Sequence, residues 1–139
     1  MNLIKKSRNV LEKIGNRFGI DYAVIFGSAA REALNLESDL DFGIKFKKLP
    51  SRSKTLLGHL VKIKKILEKE LGKDVDIVIL NKANLGLRYE IFSTGKTIFI
   101  SNEKKFREEK TSVIEQYLDF KYYIQRHWEE KVERLFYGQ

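Results

Sequence analysis

Residues 22–46 open as Tyr22-Ala-Val-Ile-Phe26-Gly27-Ser28, run on for ten residues, and close as Asp39-Leu40-Asp41-Phe42-Gly43-Ile44-Lys45-Phe46. The first run is short, apolar and rich in β-formers, which predicts a buried strand over 22–26. Gly27-Ser28 breaks it, and a short helix is expected from Ala29 to about Ala33. The second run alternates. Leu40, Phe42, Ile44 and Phe46 face one way, while Asp39, Asp41, Gly43 and Lys45 face the other. That period of two predicts a strand over 39–46 with one buried face.

Outward from this stretch, helices and strands continue to alternate. Leu3, Leu11, Ile14 and Phe18 recur at helical spacing and predict a helix over 3–18. Leu49-Pro50-Ser51 is a break. It leads into a helix over 52–71 with Leu56, Leu60, Ile63, Leu67 and Leu71 on its core stripe and Gly72 just past its end. Residues 74–80 read as a third strand, 84–93 as a short helix and 97–100 as a last strand. Residues 103–136 are helical, as one long helix or a pair. The order implies an α/β or α+β sandwich: a small mixed sheet packed with helices, plus a helical tail.

Composition bounds the function classes. A chain of 139 residues suits one compact domain, here divided into residues 1–102 and a helical extension, 103–139, packed on the same domain. No apolar run reaches the length of a bilayer span, and Met1 to Lys6 hold no signal-peptide core, so a cytoplasmic protein without a membrane partner is expected. The absence of Cys excludes disulfides and thiolate metal sites. The net charge of +8 favours anionic partners: nucleotides, RNA or an acidic protein. Lys62, Lys64, Lys65 and Lys69 fall in one predicted helix and read as a solvated face.

Three carboxylates carry the chemistry. Asp39 and Asp41 are two apart and emerge on one face of one strand; Asp76 lies on the next. Clustered carboxylates repel, and a hard divalent cation such as Mg²⁺ relieves that repulsion through oxygen ligands. Two such ions about 4 Å apart clamp the attacking and leaving oxygens of a phosphoryl displacement. At the end of the first strand, Gly27 supplies a turn that lets a phosphate approach the backbone. Ser28 adds a hydroxyl, the following helix start is an anion site, and Arg31 stands one turn in. Each signal alone is weak, since Gly-Ser turns and Asp-x-Asp strand starts are common. The combination, with Val75-Asp76-Ile77-Val78, is specific.

On those residues the chain resembles the minimal nucleotidyltransferases of the polymerase β superfamily. Their signature is Gly-Ser, ten residues, Asp-x-Asp, and a later Asp within a Val-Asp-hydrophobic-Val strand. Phe26, Ala30-Arg31 and Ser38 match the flanks, and the likeness covers roughly residues 10–100. Gly95-Lys96 ahead of an apolar strand, and the polar tail, look like the MntA-type antitoxins of that family, without a sharp motif. The resemblance implies the polymerase-β-like fold and two Mg²⁺ ions held by Asp39, Asp41 and Asp76. It implies triphosphate contacts at Gly27 and Ser28, a helper role for Arg31, and ATP as substrate. Such antitoxins are encoded beside a HEPN-type ribonuclease toxin, which they inactivate by adding AMP to a tyrosine. The competing readings are a non-catalytic antitoxin acting by occlusion, and transfer to RNA or to a small molecule.

Other residues invite a functional reading beside a plainer one. Arg52 and His59 have the spacing of a HEPN ribonuclease motif, but read as an ordinary surface pair. Asp74 is a fourth ligand or a strand-start cap, and Lys96 a phosphate contact or a turn lysine; the plainer reading is preferred for both. Half of the 16 aromatics fall at or after Phe106, too many for one helix face. The tail therefore folds back on itself or offers a partner surface, with Tyr122, Tyr123 and Trp128 as anchors. His127-Trp128 reads equally as a partner contact and as packing on the domain.

Overall fold

The computed structural model describes residues 2–27 and 39–137. In chain order these form α1 (Leu3–Ile14), β1 (Ile20–Phe26), β2 (Leu40–Phe46), α2 (Ser53–Leu71), β3 (Val75–Ile79), a single 3-10 turn (Leu80–Lys82), α3 (Leu85–Thr94), β4 (Lys96–Ile100) and α4 (Glu103–Tyr137). The expected short helix from Ala29 to Ala33 lies outside the described residues. The strands form one mixed sheet in the order β3-β2-β1-β4. Strand β1 pairs antiparallel with both β2 and β4, and β2 pairs parallel with β3.

The first helix ends at Ile14, four residues short of the span its periodicity predicts. The chain has to turn back into β1, and Gly19 supplies the left-handed backbone for that turn (φ 64°). Its carbonyl accepts from the Lys47 N–H at 2.9 Å, which ties the turn to the end of β2. Phe18 remains buried although it is no longer helical. The second helix ends where Gly72 adopts φ 66° and donates its N–H to the Glu68 carbonyl.

Alternation along the strands loads both faces. One face holds Ile25, Leu40, Phe42, Ile44, Val75 and Ile98 against α1 and α2, with Leu11, Ile63 and Leu67 closing the layer. The other holds Tyr22, Val24 and Leu80 against α3 and α4 through Ile91, Phe92, Phe106 and Val113. The expectation that β2 buries one face is thus corrected. Gly43, on the face predicted to be open, is buried beneath Leu80, whose side chain lies 3.2–3.3 Å from where a Cβ would stand. Lys45, on that face too, is half-buried and bonded to Glu109 of α4 at 2.9 Å. Arg88 of α3 reaches the same oxygen at 2.7 Å. Burial pushes the Tyr22 phenol well above its usual range, and the Glu109 carboxylate adds to the shift.

The tail is one helix of 35 residues, not a folded-back pair. It packs through Phe106 and Val113, and Tyr117 stacks on Tyr89 of α3 with ring centroids 4.0 Å apart. Beyond Tyr117 its large apolar side chains are exposed.

Glu109 is the one anion between Lys45 and Arg88 in these ion pairs, and all three side chains are 17–25% exposed. Charge-assisted bonds contribute about 1.5–3 kcal/mol each when sheltered, and less where water screens them. Glu109→Ala is expected to lower stability by about 1–2 kcal/mol. Urea unfolding checks this, and an unchanged midpoint would show that the α3–α4 layer does not depend on the network.

Candidate active site

The site lies where β1 ends and β2 and β3 begin. Because β1 runs antiparallel to β2, Phe26 stands opposite Asp41. Because β2 and β3 are parallel, Asp41 stands beside Asp76. Asp39, Asp41 and Asp76, named from three places in the sequence, thus come to one edge of the sheet. Asp39 and Asp76 are exposed and Asp41 is half-buried. The backbone closes the same corner, since the Leu40 N–H donates to the Asp74 carbonyl at 2.9 Å.

Gly27 follows Phe26 with φ 73°. A Cβ there would lie 2.5 Å from Oδ2 of Asp41. Two demands therefore coincide at Gly27: a left-handed backbone, and space taken by a carboxylate that a side chain would displace. The Asp41 carboxyl is held above its ordinary value, first by burial and then by the negative charges of Asp76 and Asp39. Asp41 thus senses both of the other carboxylates electrostatically. Among the described residues, no three side chains of metal-ligating type stand in an arrangement that grips an ion as it is. The donor chemistry suits a hard divalent cation all the same: carboxylate oxygens only, on two strands in register, one of them disfavoured as an uncompensated anion.

The remaining candidates divide. Ser28 and Arg31 lie outside the described residues. Asp74 precedes β3 with an exposed side chain, and its carbonyl makes the corner bond. Lys96 opens β4 opposite Ile25, within the sheet rather than in a turn, two residues in register from Gly27. Arg52 is the exposed N-cap residue of α2, while His59 packs edge-on against Phe18 at 5.6 Å. His59 is thus a packing residue and not half of a surface pair. Trp128 is exposed and does not pack on the domain. The sequence reading missed Asp21, buried at the start of β1, where it accepts from the Ser101 hydroxyl at 3.1 Å. It also missed the Lys45–Glu109–Arg88 cluster. Neither has a spacing signal, because each joins residues more than 20 positions apart.

The chain belongs to the nucleotidyltransferase family described as "Polymerase beta, Nucleotidyltransferase", which matches residues 8–104. It is therefore a nucleotidyltransferase. It is 34% identical over 93 residues to the "Putative protein adenylyltransferase MJ0435" of Methanocaldococcus jannaschii, covering 67% of this chain and 94% of that protein. Its fold is shared by a chain from a crystallised toxin–antitoxin complex with AMP-PNP (TM-score 0.68, 17% identity, 90% of this chain and 98% of that one). It is also shared by a chain from the tri-AMPylated Shewanella oneidensis HEPN toxin in complex with its MNT antitoxin (TM-score 0.62, 16% identity, 90% and 95%).

Two outcomes follow from this corner. Gly27→Ala forces a side chain into the left-handed region, at about 1–2 kcal/mol, and into the space of Asp41. Thermal or urea unfolding should show at least that loss. The raised Asp41 value means that the folded chain holds this proton more tightly than the unfolded chain does. Its ionisation therefore subtracts stability as pH rises from the ordinary value of 3.8 through the folded one. Asp41→Asn removes the subtraction. In the absence of metal, it should be more stable than the parent at neutral pH, with the advantage vanishing below the ordinary value. A deficit at neutral pH would contradict the charge repulsion.

Proposed function

We propose that this chain is a Mg²⁺-dependent adenylyltransferase that moves AMP from ATP onto a tyrosine of a HEPN-type toxin, as the antitoxin of a toxin–antitoxin pair. The observation that carries the chemistry is the corner itself. Asp41 stands in register with Asp76, and Gly27 is folded against the Asp41 carboxylate. In this reading Asp39, Asp41 and Asp76 would be the residues that hold the Mg²⁺ ions. When bound, the ions supply charge neutralisation at the phosphates and at the attacking oxygen.

The chain's own residues then have separate tasks. Gly27 leaves the backbone open to the triphosphate, and Ser28 and Arg31 donate to its oxygens. Asp76 favours removal of the proton from the acceptor hydroxyl. The phenolic oxygen forms a bond to the α-phosphorus, the bond from that phosphorus to the bridging oxygen of the β-phosphate breaks, and pyrophosphate leaves. Most of the acceleration is positioning and charge neutralisation.

A protein acceptor is supported by the names of the relatives: a protein adenylyltransferase, and chains crystallised with toxins, one of them tri-AMPylated. It is supported too by the form of the chain, in which Asp39 and Asp76 stand exposed at the sheet edge. Transfer to RNA rests only on the net charge of +8.

The test is co-expression with the protein encoded beside this chain, followed by intact-mass measurement of that neighbour. One or more added AMP masses are expected, and Asp39→Ala should abolish them. Mg²⁺ should stabilise the parent and not Asp41→Asn. A neighbour that is bound and silenced yet carries no added mass would overturn the catalytic reading in favour of occlusion. Nucleotide-dependent labelling of RNA, falling steeply with salt, would overturn the protein acceptor.

A further inference from the structure

The second half of α4 has two unlike faces. A helix turns once per 3.6 residues, so residues three, four and seven apart share a side. Phe106, Val113 and Tyr117 are the side by which α4 packs on the domain. At the same spacing that side continues as Phe120, Ile124, Trp128 and Leu135, which are 54%, 47%, 64% and 72% exposed. The apolar seam of the domain thus runs on beyond it, uncovered and interrupted by Lys131, for about 27 Å from Tyr117 to Leu135.

The charges are sorted as well. Lys121 follows Tyr117 by four residues and lies at the margin of the seam; Lys131 follows Ile124 by seven and Trp128 by three and precedes Leu135 by four, so it stands within the seam. The carboxylates lie elsewhere. Glu129, Glu130 and Glu133 share a surface with Tyr122, Gln125 and Arg126. The helical period puts that surface opposite the seam. It also removes Tyr122 from the apolar face, where its hydroxyl accepts from Arg126 at 3.3 Å, while Tyr123 stacks on His127.

We propose that Phe120, Ile124, Trp128 and Leu135 form the docking face for the protein acceptor, seating in an apolar groove that carries carboxylates to pair with Lys121 at the margin of the seam and Lys131 within it. The proposal rests on the reading of the acceptor as a protein. The charge pattern selects this occupant. A second copy would bring its own Lys121 and Lys131 to the same seam. A lipid surface favours helices whose polar face is basic, whereas the far face here carries Glu129, Glu130 and Glu133. Anchors of the Trp and Phe type dominate interface energies, and cationic rims govern partner choice and salt dependence.

The test measures binding of the neighbouring HEPN-type protein by calorimetry, without nucleotide, so that it reads docking apart from transfer. Ile124→Glu with Trp128→Glu is expected to weaken binding at least about thirtyfold. Lys121→Glu with Lys131→Glu should weaken it by about tenfold and remove its salt dependence. Glu130→Lys with Glu133→Lys, on the far face, should leave it unchanged. Circular dichroism checks that each variant keeps its helix, and Asp41→Asn should bind fully without transferring AMP. The proposal fails if the Ile124 and Trp128 variant binds like the parent, or if the parent does not bind the neighbour. It fails too if sedimentation shows that the seam joins two copies of the chain, or if Trp128 fluorescence reports binding to phosphatidylserine vesicles. Loss of AMP transfer with binding intact would count against the catalytic reading and not against this one.

Discussion

A junction of like charges is the constraint that the packing of the sheet has to offset. Pairing β2 in parallel with β3 brings Asp41 beside Asp76, an arrangement that a sheet otherwise avoids. The cost is visible in the Asp41 carboxyl, which burial and its two acidic neighbours hold above its ordinary value. A fold that keeps such a junction has to hold the strands in place by other means. Here they are the apolar layers on both faces of the sheet.

Those layers explain why the site is at an edge. Face by face, the sheet is covered by α1 and α2 on one side and by α3 and α4 on the other. At the corner where β1 leaves and β2 and β3 enter, Asp39 and Asp76 remain exposed. Chain direction makes this corner. An antiparallel neighbour delivers its last residues, Phe26 and Gly27, to the place where two parallel strands deliver their first. Helix α4 is joined to the strand that bears Asp41 through Glu109 and Lys45, so the tail and that strand share a polar contact.

Much of this was legible beforehand for local reasons. Period-two alternation located β2 to within a residue, and the stripe ending at Gly72 located α2 equally well, because both patterns repeat with the period of the element that carries them. The end of α1 was not legible. Phe18 keeps the helical spacing and is buried, yet the chain has left the helix at a turn that Gly19 permits. The covering of the second face of β2 was not legible either, because Gly43 and Lys45 look solvent-facing until Leu80 and Glu109 arrive from distant segments.

By itself the sequence determined the element order, the acidic residues and the glycine that accompanies them, since these follow from local periodicity and from spacing along the chain. Only the tertiary structure decided that Asp41 lies beside Asp76, that Gly27 folds against Asp41, and that the tail is one helix with a bare apolar seam. The physical reason is that strand partners and helix docking are set by contacts between segments far apart in sequence, and such contacts leave no periodic trace in either segment alone.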